Sequence, residues 1–219
     1  MYFTKFPSIL QNLYPRYLWR EKPKSKKVYL TFDDGPTPGV SEWVLEQLAR
    51  YQAAATFFVL GKQVVENPSL THQVIDAGHS LGNHGFTHLN GWRVSLHQYL
   101  RDFLKAQQAI TEYSGYKTEL FRPPYGRIGP RQAKRIMRSH QIVMMDVMAG
   151  DFDQKLSPEA VVRNVTEQVV PGSIVCLHDS EKAWPRLRFA LPEILATLQA
   201  RGYTFSALNP TPLKSQATH

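Results

Sequence analysis

The chain has 219 residues, 42% hydrophobic and 20% charged, with 26 Lys and Arg against 18 Asp and Glu for a formal charge of +8. That balance supplies a substantial core, with nothing to suggest disorder before the extreme C-terminus, while a pI of about 9.6 admits an acidic partner: nucleic acid, an anionic wall polymer or a membrane surface. No apolar run approaches the roughly 18–20 residues of a membrane span. The single cysteine, Cys176, cannot form an internal disulfide and sits in Ser173-Ile-Val-Cys-Leu177, where a small buried hydrophobe is the expected role.

In chain order, the opening Met1-Tyr-Phe-Thr-Lys-Phe-Pro7 lacks the apolar core and cleavage site of a secretory leader, so the sequence as it stands is expected to be cytoplasmic. Residues 1–26 show no clear period and are expected to drape over the body, anchored by Tyr14, Tyr17 and Trp19. From Val28 onward short apolar runs alternate with helical stripes. The expected strands are Val28–Phe32, Ala55–Leu60, Ser80–Leu81, Leu120–Arg122, Ile142–Asp146, Ser173–Leu177 and Tyr203–Phe205. Val40, Val44, Leu48 and Tyr51 make one helical stripe. Leu96, Leu100, Phe103 and Ile110 make another, opened by the capping box Ser95-Leu-His-Gln98. Ser157-Pro-Glu159 fits an N-cap with proline at the first helical position. Leu187, Leu191, Ile194 and Leu198 form the last stripe, which Gly202 stops. Such alternation predicts one α/β domain with mostly parallel strands. Arg127, Arg131, Lys134, Arg135 and Arg138 recur at helical spacing and read as a solvated face, since no nucleic-acid motif accompanies them.

In parallel α/β folds chemistry gathers at the carboxyl ends of strands. Asp33 and Asp34 end the first strand, where adjacent carboxylates must be solvated, paired or bound to a cation. His84-Gly-Phe-Thr-His88 follows a later strand. A His pair at this spacing is weak alone, but joined to a strand-end Asp it suits an open site for a divalent ion. Arg122-Pro-Pro-Tyr-Gly126 is a rigid turn, Asp146 and Asp151-Phe-Asp153 follow the next strand, and His178-Asp179 ends another.

Thr31-Phe-Asp-Asp-Gly-Pro36, His84-x3-His88, Arg122-Pro-Pro-Tyr-Gly126, Asp151-Phe152 and Leu177-His178-Asp179 together resemble the polysaccharide deacetylase family, the NodB-homology domain of carbohydrate esterase family four. The resemblance implies a distorted (β/α)7-type barrel that removes an N-acetyl group from an amino sugar. It implies an N-terminal segment at 1–26 packed on the barrel, a catalytic domain at 27–209 and a tail at 210–219. It further implies Asp34, His84 and His88 as ligands of one divalent metal, with zinc the expected ion and cobalt or another divalent ion the alternative. Asp33 becomes the general base and His178 the acid. Arg122 orients Asp33, and Asp151 pairs with Arg122 and keeps His178 protonated. The backbone N–H of Tyr125 serves the oxyanion, while Leu177, Phe152, Trp92 and the Tyr125 ring are substrate contacts.

Gly85 and Phe152 stand where the family pattern has Ser or Thr and Trp, which bears on loop rigidity and the pocket wall. The same residues allow a deformylase or small-amide hydrolase acting on an intracellular substrate. From a different class comes an inactive carbohydrate-binding domain, which the intact set Asp33, Asp34, His84, His88 and His178 disfavours. The expected partner is an N-acylated amino sugar rather than nucleic acid or a membrane, and the expected state is a monomer.

Overall fold

Alternation along β1 (Lys27–Asp33) sorts its side chains between an apolar outer layer and an interior face that carries Thr31 and Asp33. Val28, Leu30 and Phe32 point to the main core, whereas Tyr29, Thr31 and Asp33 occupy the other face. The computed structural model describes residues 3–23 and 25–209, so the tail expected at 210–219 lies outside the described residues.

A short helix α1 (Ser8–Leu13) precedes β1, followed by α2 (Ser41–Arg50), β2 (Ala55–Val59), α3 (Gly61–Glu66), α4 (Pro68–Asp76) and β3 (Ser80–Asn83). Next come α5 (Leu96–Ser114), β4 (Leu120–Phe121), a 3₁₀ turn at Pro124–Gly126, α6 (Pro130–Ile136), β5 (Gln141–Ile142) and β6 (Val147–Met148). The chain continues through α7 (Pro158–Thr166), β7 (Ile174–His178), α8 (Trp184–Ala200) and β8 (Thr204–Phe205). Strand order is β5-β4-β3-β2-β1-β7-β6, every pair is parallel, and β8 pairs with the start of β1. This curled parallel sheet with helices outside is a distorted (β/α)7-type barrel.

Phe57 and Val59 of β2 and Val175 and Leu177 of β7 join the outer layer with helices α2, α7 and α8. Inside, Phe58 fills the barrel over Gly82, where an added Cβ would lie 2.4 Å from its ring. The caps form as expected. Ser95 and Gln98 close the box on α5, and the Ser157 hydroxyl accepts the Ala160 N–H with Pro158 opening α7. Arg131, Lys134, Arg135 and Arg138 are exposed on and after α6.

One strand expected at Ile142–Asp146 is instead β5 and β6, separated by a crossing segment that the N-terminal residues occupy. Leu18 N–H donates to Ile142 O at 2.8 Å, and Met144 N–H returns to Leu18 O at 2.8 Å. Phe6 N–H donates to Asp146 O and Met148 N–H to Thr4 O. The N-terminal segment thus bridges the two ends of the sheet. Asp146 is correspondingly a structural anchor rather than a member of the strand-end site. Fully buried, it accepts from Lys5 Nζ at 2.6 Å and Ser173 Oγ at 2.5 Å. Trp19 is the buried aromatic anchor, while Tyr14 is 50% exposed and stacks on Tyr17.

Removing Lys5 leaves a buried carboxylate short of its closest cation. Lys5→Met should cost roughly 3 kcal/mol in urea unfolding and speed hydrogen exchange across residues 4–20. Unchanged exchange would show that the backbone ladder alone holds the segment.

Candidate metal and catalytic site

The carboxyl end of β1 carries two carboxylates in different surroundings. Asp33 is buried, and its Oδ1 accepts from Arg122 Nη1 at 2.7 Å. Asp34 adopts φ of 81°, a left-handed conformation that turns its side chain away from the strand's alternation. Its Oδ1 is buried without a hydrogen-bond partner. That oxygen stands 3.3 Å from His88 Nε2 and 3.8 Å from His84 Nε2. One donor atom from each of Asp34, His84 and His88 lies within 4.8 Å of the others. His84 Nδ1 meets Arg122 O at 2.8 Å, so the carbonyl takes the Nδ1 proton and leaves Nε2 as the ligating lone pair. Burial first, then His84, lowers the pKa of His88 to about 4, so it is neutral at pH 7. An orphaned carboxylate oxygen facing two imidazole nitrogens fits a divalent ion.

The His84–His88 loop is held from outside the motif. Asn83 Oδ1 accepts from Gly85 N–H at 2.8 Å. The Asp102 carboxylate takes the N–H groups of Phe86 and Thr87 and the Thr87 hydroxyl. Gly85 has φ of 79°, and a Cβ there would meet the Asp102 carboxylate at 2.7 Å. The loop therefore draws its rigidity from Asn83 and Asp102, neither of which stood out in the sequence. Asp102 is one acidic residue in a long amphipathic helix, and no local pattern marks it. Asp179 also works from behind, accepting Gly35 N–H at 3.1 Å and bonding Ser41 Oγ at 2.5 Å. Burial raises its pKa to about 8 despite the Ser41 bond.

Arg122 is fully buried, lies 4.1 Å from the Phe58 ring centroid, and donates to Thr31, Asp33 and Met144 O. Burial pushes the Asp33 carboxyl up, but Arg122, His84 and His178 together hold it below the usual carboxylate range. The expected pairing of Asp151 with Arg122 does not form. Both Asp151 oxygens are taken by His178, through its backbone N–H at 2.7 Å and Nδ1 at 2.8 Å. Burial alone would lower the His178 pKa. The Asp151 charge and hydrogen bond, followed by Asp34 and Asp33, raise it to about 9. Phe152 meets the His178 ring edge-on at 5.0 Å.

Tyr125 has φ of 59° and rests its ring on His88 at 4.4 Å. The turn's own bonds run from Gly126 N–H to Pro123 O and from Arg127 N–H to Pro124 O. Two substrate contacts expected from the sequence change place. Leu177 is fully buried in the outer core, because strand alternation sends it away from His178. The inward residue is Cys176, whose Sγ lies 3.4 Å from Asp33 Oδ2. Trp92 is exposed, donates its indole N–H to Ile128 O and has Arg127 over its ring. It does not line the cleft of about 670 Å³ that opens onto Asp34 and His88 between Thr37, Leu60, Gln63 and Lys182. Among the described residues no helix is long and apolar enough to cross a membrane.

The sequence model of the polysaccharide deacetylase family matches residues 20–145. A peptidoglycan-N-acetylglucosamine deacetylase, PgdA of Listeria monocytogenes, is 32% identical over 214 residues, 94% of this chain and 45% of that protein. A Bacillus cereus peptidoglycan-N-acetylglucosamine deacetylase is 33% identical over 192 residues, 86% of this chain and 90% of that one. The solved peptidoglycan deacetylase PdaC from Bacillus subtilis superposes with a TM-score of 0.77 at 30% identity, covering 86% of this chain and 90% of that chain. The chain thus spans under half the length of the Listeria relative.

Asp151→Asn removes the charge that holds His178 protonated. The His178 NMR titration should move from about 9 toward 6.5. Because the folded value lies above the ordinary one, protonated His178 stabilises the fold fully below about pH 6.5, and that contribution disappears as pH rises through about 9. The variant should lose this alkaline stability loss. An unmoved titration would assign the shift to Asp33 and Asp34 instead.

Proposed function

The chain belongs to the polysaccharide deacetylase family, and from that premise we propose that it hydrolyses the N-acetyl amide of an amino sugar in a cell-wall polysaccharide, with one zinc ion held by Asp34, His84 and His88. The observation that carries this reading is the orphaned Asp34 oxygen facing two imidazole nitrogens, with a base and an acid of opposite protonation beside it. The relatives named above support an N-acetylated peptidoglycan sugar as the substrate, and the cleft opens onto Asp34 and His88.

A bound divalent ion supplies Lewis acidity, lowering the pKa of water and polarising the acetyl carbonyl. Asp33, kept ionised by Arg122, accepts the proton of the attacking water through the oxygen that Arg122 does not hold. In this reading the Tyr125 N–H, carried on the rigid proline turn, meets the charge that develops on the carbonyl oxygen. His178 carries its proton at neutral pH and gives it to the leaving amine nitrogen. Asp33 and His178 offer donor atoms within 4.8 Å of one another, so one amide group can sit against both. Asp151 fixes the His178 ring from the opposite nitrogen. In this reading Cys176, not Leu177, is the β7 side chain beside the reacting groups.

The test is acetate release from N-acetylglucosamine oligomers and from peptidoglycan, by metal-stripped protein with and without zinc. Zinc should restore release, and Asp33→Asn should lower it by about 10²-fold or more while still binding the ion. Zinc-loaded protein that releases acetate from neither substrate would defeat the N-acetyl assignment.

A further inference from the structure

The interior face of β7, with the end of β1, presents a second set of metal-binding atoms, in which the proposed base and acid are joined by a thiol that the proposed reaction does not need. Cys176 and His178 are two apart on β7 and share its inward face, and β1 places Asp33 opposite His178 in register. One donor atom from each of Asp33, Cys176 and His178 lies within 4.8 Å of the others. A tetrahedral ion about 2.3 Å from sulfur and about 2.0 Å from oxygen sets those two atoms about 3.5 Å apart. Sγ of Cys176 and Oδ2 of Asp33 stand 3.4 Å apart. The nitrogen of His178 that Asp151 leaves free is Nε2, and Asp151 orients the ring as a carboxylate does behind a metal-binding histidine.

We propose that Asp33, Cys176 and His178 form a second, inhibitory metal position for thiophilic divalent ions, immediately beside the Asp34–His84–His88 site. The two positions are close, for Asp33 Oδ2 lies 3.8 Å from His84 Nε2. Their chemistry differs. Asp34 with two imidazoles accepts many divalent ions, whereas a thiolate ligand selects zinc, cadmium or cobalt and rejects magnesium.

Binding breaks the Cys176 S–H bond and forms a metal–sulfur bond, and the proton leaves to solvent; His178 likewise gives up its Nε2 proton and ligates as the neutral ring. Charges then balance locally: Asp33, Asp151 and the thiolate face the Arg122 guanidinium and a doubly charged ion. The ion ties up the residues assigned as base and acid, so excess zinc switches the enzyme off. That consequence rests on the roles given to Asp33 and His178 above. The binding itself does not.

The experiment is a Co²⁺ titration of the metal-stripped protein followed by absorption. The first equivalent should give only the weak visible bands of an oxygen- and nitrogen-ligated ion. The second should add a near-ultraviolet sulfur-to-cobalt band, because the chain has one cysteine. Cys176→Ser should abolish that band and keep the visible ones, which also reports that the variant is folded. In parallel, zinc beyond one equivalent should depress wild-type acetate release by about tenfold and leave Cys176→Ser at its own one-equivalent rate.

No sulfur band through several equivalents would overturn the second position and leave the first standing. A sulfur band that persists in His84→Ala at the first equivalent would support the second position while separating it from the first. Should Cys176→Ser fail to fold, zinc-edge absorption on wild type with two equivalents decides the matter. A sulfur neighbour at about 2.3 Å supports the site, and a shell of nitrogen and oxygen alone overturns it.

Discussion

The bond between Arg122 and Asp33 is the contact around which the interior is arranged. It joins the end of β4 to the end of β1 across the barrel, and both partners are almost entirely removed from water. A buried pair of this kind is weak evidence for stability, since desolvation cancels much of the attraction. Its effect is positional. The guanidinium also grips Thr31 and Met144 O and lies against Phe58, so it cannot swing. Its backbone carbonyl fixes the tautomer of His84. One residue therefore orders the base, a metal ligand and the interior packing together.

Strain is concentrated at the same place. Asp34, His88 and Tyr125 all have positive φ, which for residues other than glycine costs on the order of 1 kcal/mol each. The conformation at Asp34 is what parts the two neighbouring carboxylates. Asp33 follows the strand inward to Arg122, while Asp34 turns toward the histidines. Support comes from side chains behind the loops. Asp179 and Ser41 hold the segment at Gly35, and Asp102 holds the segment from Phe86 to Thr87.

What could be read from the sequence follows from how local each signal is. Strand alternation and caps are encoded within a few residues, so the helical stripes and most strands were legible, as were Asp33, Asp34, His84 and His88 at strand ends. Asp146 misled because a carboxylate after an apolar run looks the same whether it faces a site or Lys5, a partner 141 positions away. Leu177, a substrate contact only by resemblance, sits on the outward face because strand neighbours alternate, and Cys176 takes the inward place. Asp102 left no trace, since its partners lie in the Phe86–Thr87 segment, and Asn83 braces Gly85 N–H while reaching Phe103 O on α5, a contact that no local pattern shows.

The electrostatics of the site depend on two carboxylates treated differently by position. Asp33 sits under a guanidinium and is held ionised; Asp151 sits under an imidazole and holds that imidazole charged. Had Asp151 paired with Arg122, His178 would have lost its principal counter-charge, and burial would have driven it to the neutral form. Separate partners push the two pKa values apart, Asp33 downward and His178 to about 9, and so place proton acceptor and proton donor side by side in their working forms through neutral pH. The division is built by β6, which runs parallel beside β7 and brings Asp151 to His178, while the N-terminal segment bonds the stretch between β5 and β6.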